Sequence, residues 1–127
     1  MSKILGIDYG EKRIGLAISD ESQTFARELV ILSPKDFWKS ITSLIEENQV
    51  EKIVLGWPLN MNGEETEKTE EVSRFKVQVV SKTGLSVETV DERLTSKMAE
   101  SISGSKKNID SLAAQIFLQN YLDRNKN

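Results

Sequence analysis

Asp8 closes the apolar run Ile4-Leu5-Gly6-Ile7 and is flanked by Gly6 and Gly10, so its carboxylate arrives with little side-chain bulk around it. Such a setting suits contact with a metal ion or a phosphate. Further acids stand in comparable places: Asp91 and Glu92 follow the fifth candidate strand, and Asp110 opens the last helical pattern. The chain has no histidine and no cysteine, which excludes zinc sites, histidine bases, disulfides and thiolate chemistry. Carboxylates, hydroxyls, lysines and arginines must carry any reaction, and oxygen-only ligands suit magnesium, manganese or calcium, with magnesium the default. Two or three converging carboxylates hold one divalent ion, or two ions about 4 Å apart in the arrangement used for in-line phosphodiester cleavage. Each acid also has a structural role open to it, as a turn acceptor for Asp8 and Asp91 or a helix cap for Asp110.

The elements that would position these acids follow from periodicity. Ile4 to Ile7 is apolar on both faces, as in a central strand covered on two sides. In Arg13 to Ser19, large residues at 14, 16 and 18 fall on one face and small ones at 15, 17 and 19 on the other. Asp8 to Lys12 is then a hairpin turn, and Phe25 to Leu32 a third strand. Ser33, Pro34 and Asp36 start a helix that reaches about Asn48, with Phe37, Ile41, Leu44 and Ile45 as its inner stripe. Ile53 to Leu55 forms a buried parallel strand ending at Gly56-Trp57-Pro58. A polar loop around Gly63 leads into a second helix ending near Gly84, with Val72, Phe75 and Val79 inward. Glutamates 64, 65, 67, 70 and 71 at its start favour the helix dipole and form a solvated face. Leu85 to Val90 is the fifth strand, Leu94 to about Ser103 a short helix, residues 104–108 a mobile basic loop, and a last helix starts near Asp110. The order implies a mixed α/β fold with crossovers in its second half, and chemistry at the carboxyl ends of its parallel strands.

At 127 residues, with 38% apolar and 29% charged positions and only two prolines, the chain is the size of a single domain spanning 1–127. It has no leader pattern and no apolar run near the roughly 20 residues of a membrane span, so a cytoplasmic location without membrane contact is expected. A net charge of -3 argues against non-specific coating of nucleic acid.

Four segments carry a resemblance. They are Gly6-Ile7-Asp8-Tyr9-Gly10 with Lys12-Arg13-Ile14-Gly15 and Ser19-Asp20; Gly56-Trp57-Pro58-Leu59-Asn60 with Gly63; Asp91-Glu92-Arg93-Leu94-Thr95; and Ile109-Asp110-Ser111-Leu112-Ala113-Ala114. In this order they resemble the YqgF family, described both as Holliday junction resolvases and as pre-16S rRNA nucleases. The resemblance implies a ribonuclease H-like α/β fold: a mixed five-stranded sheet, three antiparallel strands then parallel ones, flanked by helices. It also implies that Asp8, one acid of the Asp91-Glu92 pair and Asp110 form the catalytic, Mg²⁺- or Mn²⁺-binding set, with Asp8, Glu92 and Asp110 the expected ligands. Other ribonuclease H-like nucleases carry an acid at the end of the fourth strand, where this chain reads Gly56-Trp57-Pro58. Alternation groups Asp91 with Val87 and Glu92 with Val90, and neither face is plainly polar, so the choice between the two acids stays open.

Arg93, Lys12 and Arg13 are candidate cations for the phosphate, since a guanidinium pairs bidentately with it. Lys97, Lys106 and Lys107 are candidates to follow a nucleic-acid backbone, Thr95 and Ser19 to orient the site, and Trp57 or Tyr9 to stack on a base. Thr95 as a helix cap and Trp57 as core packing are the structural alternatives. The expected activity is metal-dependent phosphodiester cleavage, on a ribosomal RNA precursor, free or on a pre-ribosomal particle, or on branched DNA. Paired cuts in a junction need a two-fold homodimer, whereas trimming RNA can be done by a monomer. Alternatives of other classes are nucleotide binding of the actin and sugar-kinase type, against which the chain length speaks, and a catalytically silent binding module.

Overall fold

The structure, a computed structural model, describes residues 2–91 and 109–125. Its elements are β1 (Lys3–Asp8), β2 (Ile14–Ser19), β3 (Ala26–Leu32), α1 (Pro34–Asn48), β4 (Val50–Trp57), α2 (Glu67–Thr83), β5 (Val87–Asp91) and α3 (Ile109–Arg124). The five strands form one sheet in the order β3-β2-β1-β4-β5. The pairs β1–β2 and β2–β3 are antiparallel, and β4 runs parallel to both β1 and β5. The carboxyl ends of β1, β4 and β5 therefore share one edge of the sheet.

Strand alternation divides the core into two layers. Leu5 and Ile7 of β1, Ile14, Leu16 and Ile18 of β2, and Ile53 and Leu55 of β4 meet Phe37 and Ile41 of α1 and Val72, Phe75 and Val79 of α2. On the opposite face Ile4, Ala17, Val54 and Val90 meet Ala114, Phe117, Leu118, Tyr121 and Leu122 of α3. Large residues thus fill the two-helix side, while the small residues of β1 and β2 admit α3 close to the sheet. A Cβ built at Gly6 would lie 3.1 Å from Leu118 Cβ and 3.3 Å from the Ala114 carbonyl oxygen. Gln119 fixes the helix laterally, accepting from Ala26 N–H at 2.8 Å and donating to the Thr24 carbonyl at 2.9 Å. Gln115 donates to the Ala26 carbonyl at 3.2 Å. Gly6→Ala is expected to lift α3 and to destabilise the protein by about 1–3 kcal/mol, as overpacking does. The shift of the urea unfolding midpoint measures it.

Several boundaries differ from the sequence expectation, among them that of β5, which runs Val87–Asp91 rather than Leu85 to Val90 and so includes Asp91 as its last residue. Asp8 lies within β1, paired with Gly15, so it ends a strand and the turn begins after it. That turn is tight: a Cβ at Gly10 would sit 2.5 Å from the Arg13 carbonyl oxygen. Strand β4 starts at Val50, earlier than its apolar stretch, because Val50 and Lys52 pair with Lys3 and Ile4 of β1, and Lys52 also meets Glu88 of β5 at 3.1 Å. Helix α2 starts at Glu67, with Glu64 and Glu65 in the loop before it. The expected short helix at 94–103 and basic loop at 104–108 lie outside the described residues. No helix among the described residues is long and apolar enough to cross a membrane.

Candidate active site

Asp8 is half-buried at the carboxyl end of β1. Its side of the strand follows from its neighbours, since Ile4 belongs to the α3 layer and Gly6 abuts Leu118. Asp8 is the next residue of that parity and so lies on the α3 face. Helix α3 runs antiparallel to β1: Ile4 shares a cleft wall with Tyr121 and Leu122, and Gly6 meets Ala114 and Leu118. From Gly6 to Asp8 the strand advances about 6.6 Å, a little over four helical residues. Asp8 is consequently level with the first turn of α3, in which Asp110 is the second residue.

Parity separates the acids near β5. Val90 is packed in the α3 layer and Val87 in the two-helix layer, so Asp91, exposed and paired with Trp57, has the parity of Val87 and falls on the face away from Asp8. Leu55 pairs with Ile7 on one side and Thr89 on the other, which sets Asp8, Gly56 and Val90 in the next row. Gly56 leaves that row without a side chain between β1 and β5. Glu92, Arg93, Thr95, Lys97, Lys106 and Lys107 lie outside the described residues. Among the described residues, no three acids cluster closely enough to hold a metal ion.

Lys12 and Arg13 are exposed in the turn that follows Asp8, at the same edge of the sheet. Ser19 does not orient the site. It is buried at the amino end of β1, where its hydroxyl accepts the Ile4 N–H at 2.8 Å and donates to the Asp20 carbonyl at 3.0 Å. The antiparallel register puts the end of β2 beside the start of β1, so a residue close to Asp8 in the motif lies at the far edge. Asp20 organises the turn there by accepting from Thr24 N–H, Phe25 N–H and Ser22 Oγ. The two backbone bonds, Thr24 first, hold its carboxyl below the usual range. Tyr9 has one ring face against Phe75, at 4.5 Å between centroids, and Trp57 packs on the two-helix layer. Both aromatics are therefore used in packing, Tyr9 through one face of a half-buried ring. Burial, then the charges of Glu71 and Glu11, push the Tyr9 hydroxyl upward and keep it protonated. Desolvation, followed by Glu11, raises the Glu71 carboxyl as well. The α2 side of this edge is thus acidic, and the turn cations stand on β1.

One feature of the edge has only a faint signal in the sequence, the organisation of the loop between β4 and α2. Asn60 Oδ1 accepts the N–H groups of Asn62 and Glu64, both at 2.9 Å, and Asn60 Nδ2 donates to Glu64 Oε1 at 3.2 Å. Backbone bonds from Asn60 N–H to the Glu64 carbonyl and from Gly63 N–H to the Asn60 carbonyl close the turn, and Gly63 takes φ 80°. Buried Thr69 ties the loop to α2, its hydroxyl donating to the Pro58 carbonyl and accepting the Thr66 N–H. Asn60 and Gly63 belong to the motif quoted above, but nothing in their spacing distinguishes a loop scaffold from a ligand contact.

Comparison with known proteins gives consistent matches over nearly the whole chain. The family model described as "RuvX: Holliday junction resolvase" matches residues 2–124. A protein of Natranaerobius thermophilus named "Putative pre-16S rRNA nuclease" is 40% identical over 136 aligned positions, covering 98% of this chain and 96% of its own length. A protein of the same name from Syntrophus aciditrophicus is 42% identical, covering 95% of this chain and 88% of its own. Among solved structures, T. thermophilus RuvC in complex with a Holliday junction substrate matches with a TM-score of 0.59 at 16% identity, covering 98% of this chain and 95% of that one. That likeness is one of fold, the ribonuclease H-like mixed sheet.

Proposed function

The chain belongs to the RuvX family of Holliday junction resolvases, the YqgF family of the sequence motifs, and from that premise we propose that it is a metal-dependent endonuclease acting in 5′-end processing of pre-16S rRNA. It is a hydrolase of phosphodiester bonds whose substrate is nucleic acid. The observation that carries the site is the shared face and level of Asp8 and the first turn of α3, where Asp110 stands. Parity supports Glu92 as the third member over Asp91, because Glu92 repeats the parity of Val90, which faces α3. Strands β1 and β5 are two spacings apart, about 10 Å. A glutamate reaches further than an aspartate over such a separation, and an acid following β5 would offset the missing acid at the end of β4.

Asp8, Glu92 and Asp110 offer only carboxylate oxygens, the donors that magnesium or manganese prefers, and would hold such an ion between β1 and α3. A bound divalent ion supplies charge neutralisation at the scissile phosphate and lowers the pKa of the attacking water. The chain's own part is positional. Asp8 is held on a paired strand and Asp110 is carried in the first turn of a packed helix, so the backbones that carry them are fixed before the phosphate arrives. Lys12 and Arg13, with Arg93, Thr95, Lys97, Lys106 and Lys107, bind the backbone on either side of the scissile bond. A net charge of -3 supports a substrate presented on a pre-ribosomal particle in the cytoplasm over capture of long free DNA, and a monomeric single domain is sufficient for that task.

The family model's own description favours a second substrate, a Holliday junction in DNA. Incubation of the purified protein with Mg²⁺ or Mn²⁺ and either a pre-16S rRNA 5′ fragment or a four-way DNA junction separates the two. Cleavage of the RNA at a defined 5′ position by a monomer is expected. Paired symmetric cuts in the junction by a dimer would replace the ribosomal assignment with recombination.

A further inference from the structure

Four large apolar side chains are exposed among the described residues: Phe25 at 68%, Met61 at 73%, Val77 at 67% and Val80 at 41%. Scattered exposed apolar residues are ordinary. Met61 differs in where it stands and in how it is held. Phe25 lies at the far edge with Asp20, and Val77 and Val80 lie along α2. Met61 occupies the tip of the loop that follows β4, the strand between β1 and β5, at the edge where Asp8 emerges. The loop is rigid for its size, with the Asn60 amide making three bonds, Gly63 closing the turn, and Thr69 anchoring Pro58 to α2. A flexible, polarizable side chain at the tip of an ordered loop is suited to packing against a partner's apolar surface.

The chemistry of that partner is constrained by charge. Exposed Glu64, Glu65, Glu67 and Glu70 outnumber Lys68 and Arg74 on the α2 side of the loop and repel phosphate, whereas Lys12 and Arg13 outnumber Glu11 in the turn on the β1 side. A strand crossing this edge is therefore oriented with its phosphates toward Asp8 and the turn cations. What it turns toward Met61 is an uncharged base. Apolar side chains, methionine among them, wedge against or between bases and unstack them at such positions.

We propose that Met61 is a substrate-positioning residue that packs against a base beside the scissile phosphate and unstacks it. This rests on the nuclease function proposed above. Loss of this contact is expected to slow cleavage about tenfold, a change of about 1.4 kcal/mol in the barrier.

The test uses pre-16S rRNA 5′ fragments carrying 2-aminopurine at successive positions, whose fluorescence rises when the base is unstacked. Calcium replaces magnesium for the fluorescence, and cleavage with Mn²⁺ is followed in parallel. The native protein is expected to raise fluorescence at one position next to the cut. Met61→Leu should keep the rise, and Met61→Ala should lose most of it and cleave about tenfold more slowly. A rise of equal size in Met61→Ala, or no rise at any position with the native protein, overturns the role of Met61. Failure of the nuclease assignment is seen separately, as absence of Mn²⁺-dependent cleavage by the native protein.

Discussion

Asp8→Asn is expected to abolish metal-dependent cleavage, by at least about a thousandfold, while leaving the fold intact. Asparagine has the same shape and fits the same half-buried end of β1 beside Gly15. What it removes is one of the negative charges that hold a divalent ion against the scissile phosphate, an interaction worth several kcal/mol of transition-state stabilisation. Two measurements check the outcome. Single-turnover cleavage of the RNA fragment reads the chemistry. Thermal unfolding with and without Mn²⁺ reads the site itself, because a ligand that binds only the folded state raises the melting temperature. The native protein should gain stability with Mn²⁺ and the variant should not. Undiminished cleavage by Asp8→Asn would remove the carboxylate site altogether.

The second large effect distinguishes two neighbouring acids. Glu92→Gln is expected to lose activity on the scale of Asp8→Asn, about a thousandfold, and Asp91→Asn to stay within about tenfold of the native rate. The difference follows from alternation along β5. Val90 packs under α3 and Val87 under α1 and α2, so Asp91 falls on the side away from Asp8. Glutamine and asparagine keep the size of each side chain, so steric disturbance is small in both variants. Parallel rate constants for the two variants on one substrate decide the matter. A reversed order would mean that the chain changes parity directly after Asp91, and would put the metal on the two-helix face.

Much of this architecture is legible in the residues. Clean alternation at Ile14, Leu16 and Ile18 against Gly15, Ala17 and Ser19 marks β2 and shows that its faces differ in bulk, and both layers formed as that difference requires. Ser33 and Pro34 start α1 where the capping pattern puts it, with the Ser33 hydroxyl accepting the Asp36 N–H at 3.2 Å. The less legible parts involve groups whose partners are distant in sequence. Lys52 stands before the apolar stretch Ile53 to Leu55, and only its pairing with Ile4 brings it into β4. Ser19 looks like a site residue until the antiparallel register carries it to Ile4 N–H. The Tyr9–Phe75 contact joins residues far apart in sequence, one following β1 and the other in α2.

For the acids the division is equally clear. Absence of histidine and cysteine restricts the chemistry to oxygen ligands and hard cations, and the spacing of Asp8, Asp91-Glu92 and Asp110 at element ends identifies the candidates. These are local properties, and the sequence by itself determined them. Periodicity also assigns each residue a parity within its own strand. The relation between the parity of β1 and that of β5 is a different quantity, set by the register of both strands against β4 and by which helices cover which face. Only the tertiary structure decided it. Close approach of α3 to Gly6 carries the start of that helix to the level of Asp8, and the packing of Val90 beneath the same helix gives Asp91 the parity of the opposite face.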